Sequence, residues 1–167
     1  MQAFPRSADT IATINAPGDK VFFFLDDHKN LSAHMNKSSW MMLGSRMEIY
    51  LDAAGARSVG SKFGFKGAIL GIPLSVDEVV TQREPSGRKV WETVGEPNLW
   101  VIGQYRMGLE IAPQGNSARL RVFIEYALPA AGLPRLLGLL FGNAYAHWCT
   151  TRMVGDAKRH FAKVGGF

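Results

Sequence analysis

The sequence of 167 residues lacks the features that mark several common classes of protein. It has a single cysteine, Cys149, which excludes an internal disulfide and fits a reducing compartment. A membrane-spanning helix needs ~20 apolar residues, and the longest uncharged stretch of the terminal region, residues 136–151, is shorter and contains glycine, asparagine and histidine. The amino terminus has no apolar core of a secretory signal. We therefore expect a cytoplasmic protein.

Signals for nucleic acid, metal and cofactor are also absent. The net charge is +5, but no Lys/Arg run is interleaved with aromatic residues, so nucleic acid is not an expected partner. Asp26, Asp27, His28 and His34 lie close together in sequence. Neighbouring residues on a helix do not converge, however, and no paired His or Cys spacing supports a metal site. We expect helix capping and solvated surface there, with no metal and no cofactor.

Basic residues are concentrated near the carboxyl end. From Leu133 onward five basic residues stand against one acidic residue. Cations at the end of a helix are stabilised by its dipole, which accounts for this concentration in structural terms. Weak attraction to an anionic membrane surface is the alternative, and peripheral membrane contact stays open. Either a monomer or a homodimer fits the sequence.

The chain has the size and composition of one soluble domain covering residues 1–167, with 47% hydrophobic and 20% charged residues. Alternation predicts a first strand over 8–14, and Pro17 suits the start of a helix that ends at Asp26. A second short helix is predicted over 27–35. Six further strands follow, separated by short turns, over 41–51, 63–69, 72–80, 89–94, 101–111 and 120–126. This order predicts an α+β domain with an antiparallel meander.

A long amphipathic helix is predicted over 133–161. A helical wheel centred on Ala144 brings several apolar residues to one face, namely Leu133, Leu137, Leu140, Phe141, Trp148 and Thr151. A wide apolar face that follows many strands needs a sheet to pack against. A helix closed over a curved sheet makes a cavity, so the pattern predicts an enclosed ligand site.

Several short sequence segments resemble those of the START-like superfamily, also called SRPBCC or Bet v 1-like. They include the segment 16–22 (APGDKVF) after the first strand, Leu25-Asp26-Asp27 with Leu31, and the turns at 84–88 and 113–116. The resemblance implies the helix-grip fold, in which a curved antiparallel sheet of about seven strands wraps around a long C-terminal helix, with two short helices after strand 1. Members include lipid carriers, quinone-binding proteins and polyketide cyclase/dehydrase-like enzymes.

Two functions follow from this resemblance. The first is binding or transport of a hydrophobic small molecule (lipid, quinone or polyketide-like) in a cavity between sheet and helix. The alternative is a polyketide cyclase/dehydratase-like enzyme, with Glu78, Tyr105 and His147 as acid/base candidates. Glu78 shares a strand face with Ile72, Leu74, Val76 and Val80, and burial there would raise its pKa. The opposing interpretation is a β-bulge that returns Glu78 to solvent.

Other candidate ligand contacts follow from strand and helix phase. Tyr105 and Tyr126 share faces with aliphatic residues, where a phenol bonds either a ligand or the backbone. Ser45 is in phase with the apolar side of its strand, and His147 is predicted near the rim of the cavity. Aromatic residues are expected to line the pocket, although plain core packing is the alternative: Phe63, Phe65, Trp91, Phe141 and Trp148. Cys149 points away from His147, so a Cys–His nucleophilic pair is not expected.

Overall fold

The computed structural model describes residues 3–33 and 47–164. A strand, β1 (Arg6–Ile14), precedes two helices, α1 (Gly18–Asp26) and α2 (His28–Leu31). Six strands follow: β2 (Met47–Leu51), β3 (Lys62–Ile69), β4 (Ile72–Glu84), β5 (Arg88–Asn98), β6 (Tyr105–Gln114) and β7 (Ser117–Tyr126). The last element is the long helix α3 (Gly132–Val164). The predicted order of elements is confirmed.

All seven strands form one antiparallel sheet in the order β1-β7-β6-β5-β4-β3-β2. Consecutive strands from β2 to β7 pair as a meander, and β1 completes the sheet by pairing with β7. Irregularities in the β4–β5 register lie between Ser75 and Asp77 and between Val80 and Gln82. Such bulges bend a strand and strengthen its twist, which helps the sheet to curve. The predicted α+β helix-grip architecture is therefore confirmed.

Helix α3 packs mainly on β1 and β7, at one end of the strand order. The Thr150 and Thr10 hydroxyl oxygens lie 2.8 Å apart and join the helix to β1. Near its carboxyl end, the Phe161 ring meets Phe24 of α1 edge-to-face at a centroid distance of 5.6 Å. The helix is thus fixed to both the sheet and α1, and its middle turns face the concave side of the sheet.

The predicted packing face of α3 is wrong. Ala144, the predicted centre, is exposed, as are Leu140 at 65% and Phe141 at 54%. The buried residues form a different stripe, which contains Gly138, Gly142, Ala146, Cys149, Thr150, Met153, Val154, Ala157 and Phe161. This stripe begins with small residues, which carry little hydrophobic signal. The distribution of hydrophobic residues therefore predicted the wrong packing face for the amino-terminal half of the helix.

Two glycines explain why the small residues face inward. A Cβ atom on Gly138 or on Gly142 would lie 2.9 Å from the Val101 carbonyl oxygen. The helix therefore approaches the backbone between β5 and β6 more closely than a larger residue would allow. Because the glycines determine the rotation of the helix, its larger apolar residues turn outward.

An exposed apolar surface results along the first half of α3. It comprises Leu133, Leu136, Leu139, Leu140 and Phe141, each at least half exposed. Across the described ranges, no helix is both long enough and apolar enough to span a membrane.

The close approach of α3 gives a testable prediction. Gly142→Ala should lower the free energy of unfolding by about 1–3 kcal/mol, because the added methyl group meets a backbone carbonyl that cannot easily move. The control is Gly155→Ala in the same helix, where the nearest atom is the mobile end of the Arg159 side chain, 3.3 Å away. That variant should be neutral or gain up to about 1 kcal/mol from helix propensity. Urea denaturation measures both, and equal effects would contradict the proposed packing.

Candidate functional site

A partly enclosed cavity lies between the concave side of the sheet, α2 and the middle of α3. Its lining combines aliphatic, aromatic and a few polar side chains: His28, Leu31, Ser32, Met47, Phe63, Phe65, Val76, Glu78, Trp91, Leu99, Ile102, Tyr105, Met107, Ile124, Tyr145, Cys149 and Met153. The wall is mostly apolar, as in small-molecule sites that hold a ligand with few directed polar contacts.

The free space in this cavity is small. The centre of a water molecule can reach ≈ 50 Å³ of it, enough for roughly three or four waters. Typical small-molecule pockets have volumes of about 300–1,000 Å³. A ligand much larger than a single ring therefore requires side chains of the wall to move.

Glu78 and Tyr105 form a buried pair in the wall. The Tyr105 hydroxyl donates to Glu78 Oε1 at 2.7 Å, and Tyr105 is 6% exposed and Glu78 1% exposed. Along β4 the residues Leu74, Val76, Glu78 and Val80 alternate inward. The predicted phase of β4 is confirmed from Leu74 to Val80, although Ile72 at the start of the strand is exposed, and the bulges do not turn Glu78 to solvent.

Burial dominates the acid–base behaviour of this pair. It raises the pKa of Glu78 from 4.5 to about 8, although the Tyr105 hydroxyl and the nearby Trp91 indole act in the opposite direction. Burial also raises the pKa of Tyr105 well above its usual value, and the Glu78 carboxyl adds to this effect. At neutral pH Glu78 is therefore mostly protonated and Tyr105 is a neutral donor.

Helix α3 adds Tyr145 and Cys149 to the opposite wall. Burial raises the pKa of the Cys149 thiol to about 12, and a hydrogen bond with Tyr145 opposes this only partly. A thiol that stays protonated at neutral pH is a poor nucleophile. Cys149 thus contributes surface to the cavity.

A charged cluster lies behind one end of the cavity. The Lys89 ammonium is fully buried and donates to the Asp26 carbonyl at 2.9 Å and to Asp26 Oδ1 at 2.8 Å. Arg83 donates to both carboxyl oxygens of Asp26, at 3.1 and 2.7 Å. Burial would raise the pKa of Asp26, but its bonds with Arg83 and Lys89 outweigh that effect and lower it. The cluster therefore fixes the α1–α2 corner to β4 and β5.

His28 connects this cluster to the cavity. Its Nδ1 lies 3.2 Å from Lys89 Nζ, and its ring stands against Phe63 at a centroid distance of 4.0 Å. Burial lowers the pKa of His28 well below its usual value, and the Lys89 charge lowers it further. The imidazole is therefore neutral. Asp26 and His28 were predicted as capping or solvated residues, and that prediction is wrong because both are buried.

The neighbouring Asp27 behaves as predicted, since its carboxylate caps α2 by accepting from the Lys29 backbone N–H at 2.9 Å. No cluster of possible metal ligands occurs within residues 3–33 and 47–164. His34 and Ser45 lie outside the described residues.

The structure brings five of the predicted site residues to the cavity, namely Phe63, Phe65, Glu78, Trp91 and Tyr105. Of the others, Tyr126 is buried in the core, and it and the half-buried Trp148 do not line the cavity. Phe141 and His147 are exposed on the outer side of α3. Their placement as cavity residues is wrong, because the small-residue stripe rotates that side of the helix outward.

Sequence reasoning missed three kinds of cavity residue. Tyr145, Cys149 and Met153 are spaced by four on α3, a signal that becomes visible only when the wheel is centred one position after Tyr145, on Ala146. Ile102 lies outside β6, which starts at Tyr105 rather than at the predicted residue 101. His28 carried no recognisable signal, because its burial depends on the distant Lys89.

The seven-stranded sheet, the short helices after β1 and the long helix over an internal cavity together form the helix-grip fold. The resemblance to the START-like superfamily is thereby confirmed in the fold. No protein-family model matches the chain, and no curated protein sequence matches it significantly.

Solved structures agree on the fold at low sequence identity. Protein TTHA0849 from Thermus thermophilus matches with a TM-score of 0.69 and 12% identity, over 96% of this chain and 100% of the other. Norcoclaurine synthase from Thalictrum flavum, in complex with dopamine and hydroxybenzaldehyde, gives a TM-score of 0.66 and 10% identity, over 97% and 88%. The Zhui aromatase/cyclase from Streptomyces sp. R1128 gives 0.65 and 14%, over 97% and 99%.

The buried carboxyl predicts a specific pH dependence of stability. Between about pH 4.5 and pH 8 the unfolded chain releases the Glu78 proton while the folded chain retains it. Unfolding is therefore favoured as the pH rises, with a contribution from Glu78 of up to about 1.4 kcal/mol per pH unit. Glu78→Gln should remove this contribution. The free energy of unfolding of the variant, relative to that of the unmodified protein, should therefore increase as the pH rises from about 4.5 to 8.

Urea denaturation from pH 5 to pH 8 measures that difference. Subtracting the two curves also removes the opposite contribution of His28, whose lowered pKa makes stability fall below about pH 6.5. The control is Glu48→Gln on the exposed side of β2, which should follow the unmodified protein. A difference between Glu78→Gln and the unmodified protein that stays constant with pH would show that Glu78 titrates normally.

Proposed function

We propose that this protein binds a small, largely apolar, ring-containing molecule in the cavity between the sheet and α3. The observation that supports this most directly is the lining itself, in which a neutral Glu78–Tyr105 pair and His28 are set among aliphatic and aromatic residues. A plain packed core would not retain polar groups that lack partners, because each costs about 1–3 kcal/mol. A ligand that satisfies them offsets that cost.

The size of the free space favours a single ring, or a fused pair of rings for which side chains of the wall move, over a long lipid chain. Phe63, Phe65 and Trp91 supply flat surfaces, and Met107 and Met153 supply side chains that adapt to different shapes. Structures with this fold include a synthase holding dopamine and hydroxybenzaldehyde and an aromatase/cyclase. These neighbours support a ring-containing ligand for this chain as well.

Thermal denaturation with a panel of bicyclic compounds and fatty acids tests the proposal. A ring compound at one hundred times its Kd should raise the Tm by roughly 5–10 °C. Val76→Phe, which places a ring in the cavity, should remove this response. Val94→Phe makes the same change at a position on β5 that is 42% exposed, and should leave the response intact.

Native mass spectrometry of the unmodified protein purified from cells adds a measurement that does not depend on any variant. A bound molecule of low mass is the expected result. If no compound raises the Tm and no molecule co-purifies, or if Val76→Phe binds as well as Val94→Phe, the cavity is not the binding site.

Enzymatic proton transfer is the second candidate function, and the raised pKa of Glu78 favours it. A carboxyl with a pKa of about 8 exchanges protons readily near neutral pH, where an ordinary glutamate is a weak base. The cyclase/dehydratase-like alternative would use Glu78 as acid/base and Tyr105 as the donor that orients it. His147 is not part of this arrangement, because it is exposed on the far side of α3.

Deuterium exchange at the carbon next to the carbonyl of 2-tetralone, followed by NMR in D₂O, tests this second function. The enzyme-dependent rate should rise with pH and level off above about pH 8, when Glu78 is ionised. Glu78→Gln should lower the rate by about 100-fold or more, whereas the exposed Glu48→Gln should not change it. Exchange that persists in Glu78→Gln, or no enzyme-dependent exchange, would exclude Glu78 as the base.

A further inference from the structure

His28 is held in the wall of the cavity by contacts that leave one side of its ring without a polar partner. Lys89 Nζ approaches Nδ1 at 3.2 Å. Phe63 and Trp91 pack against the ring at centroid distances of 4.0 and 5.2 Å. The residue is 1% exposed. Neither Phe63 nor Trp91 places an acceptor on the imidazole. The ring's other polar contact is with the Asp26 backbone, which favours the protonated ring but is outweighed by burial and by the Lys89 charge.

The Lys89 contact determines which ring nitrogen bears the proton. An ammonium group has three donors and no acceptor, and two of those donors go to the Asp26 carbonyl and to Asp26 Oδ1. The third is directed to Nδ1 of His28, and Nδ1 accepts in the tautomer that we assign, because an ammonium cannot accept and the Asp26 carbonyl near the ring is already bonded to Lys89. In a neutral imidazole the proton then lies on Nε2, and Nε2 is a donor.

Nε2 is buried and has no hydrogen-bond partner among residues 3–33 and 47–164. Glu78 Oε2 is also buried without a hydrogen-bond partner among these residues, because the Tyr105 hydroxyl contacts only the other carboxyl oxygen. The Trp91 indole also acts on this carboxyl and, like the Tyr105 hydroxyl, favours its charged form. His28 and Glu78 both line the cavity. Two buried polar atoms without partners in the described ranges, His28 Nε2 and Glu78 Oε2, therefore belong to one apolar enclosure.

We propose that His28 binds a carbonyl oxygen of the ligand through its Nε2–H, and that the cavity thereby selects neutral ring ketones. This inference rests on the proposed binding function and adds the chemical class of the ligand. A hydrocarbon of the same shape leaves the donor unsatisfied. A protonated amine presents a further donor, and it brings a positive charge close to the Lys89 ammonium. The Asp26 carboxylate cannot fully compensate that charge, because it already binds both Lys89 and Arg83.

Three compounds with the same bicyclic skeleton test the selection: 1-indanone, indane and 1-aminoindane. Isothermal titration calorimetry at pH 7 should show 1-indanone binding about five- to tenfold more tightly than indane, the effect of one hydrogen bond. Binding of 1-aminoindane should be weaker than that of indane. A preference for 1-aminoindane would show that the free nitrogen accepts rather than donates.

Two substitutions of His28 distinguish the contribution of its N–H donor to ligand binding from the contribution of its flat ring. His28→Phe keeps a flat ring against Phe63 but has no donor, so 1-indanone and indane should bind equally. His28→Gln places an amide N–H near the position of Nε2 and should retain at least part of the ketone preference. If the preference survives in His28→Phe, another group recognises the carbonyl and the proposal is overturned.

A measurement on the unmodified protein covers the case in which the variants do not fold. The ¹⁵N chemical shifts of His28 should show a protonated Nε2 and an unprotonated Nδ1, and the Nε2 signal should move when 1-indanone is added. The reverse tautomer overturns the proposal. Binding of indane and 1-indanone with equal affinity refutes ketone selection but leaves the binding function intact, whereas no binding of either compound refutes both.

Discussion

The buried ammonium of Lys89 is the constraint on which the functional corner of the molecule depends. A charge removed from water costs several kcal/mol unless it is paired and hydrogen-bonded. Asp26 supplies both a backbone carbonyl and a carboxyl oxygen to Lys89, and its carboxylate also binds Arg83. Two cations therefore share one carboxylate. Because the partners lie on α1, β4 and β5, satisfying the ammonium fixes the helices to the sheet.

The excess positive charge of this corner governs the side chain next to it. His28 is buried beside Lys89, so both desolvation and the neighbouring charge lower its pKa. The imidazole stays neutral, and the same ammonium occupies its Nδ1. A cluster whose first role is structural thus determines the protonation of a residue in the cavity. The polar character of this side of the cavity therefore follows from the packing of α2.

The sequence predicts the sheet well because alternation is a local property. On β4, the period of two places Glu78 with Leu74, Val76 and Val80, and the structure confirms it. The face of α3 is set by a different effect, the contact between Gly142 and the Val101 carbonyl. Glycine has no apolar signal, so the wheel favoured the larger leucines. The burial of Lys89 could not be predicted, because it depends on Asp26, 63 residues earlier in the chain. The burial of His28 could not be predicted either, because His28 contacts the distant Lys89.

The buried polar atoms without partners in the part of the chain that the structure describes, His28 Nε2 and Glu78 Oε2, also determine what can compete with a ligand. The cavity has room for a few water molecules, and water both satisfies a donor and enters a small space easily. An apolar ring gains by leaving water, but alone it cannot replace the hydrogen bond that water makes to His28 or Glu78. A ring with a carbonyl oxygen does both. The proposed selectivity therefore rests on the combination of aromatic walls with an N–H donor, and not on the apolar volume alone.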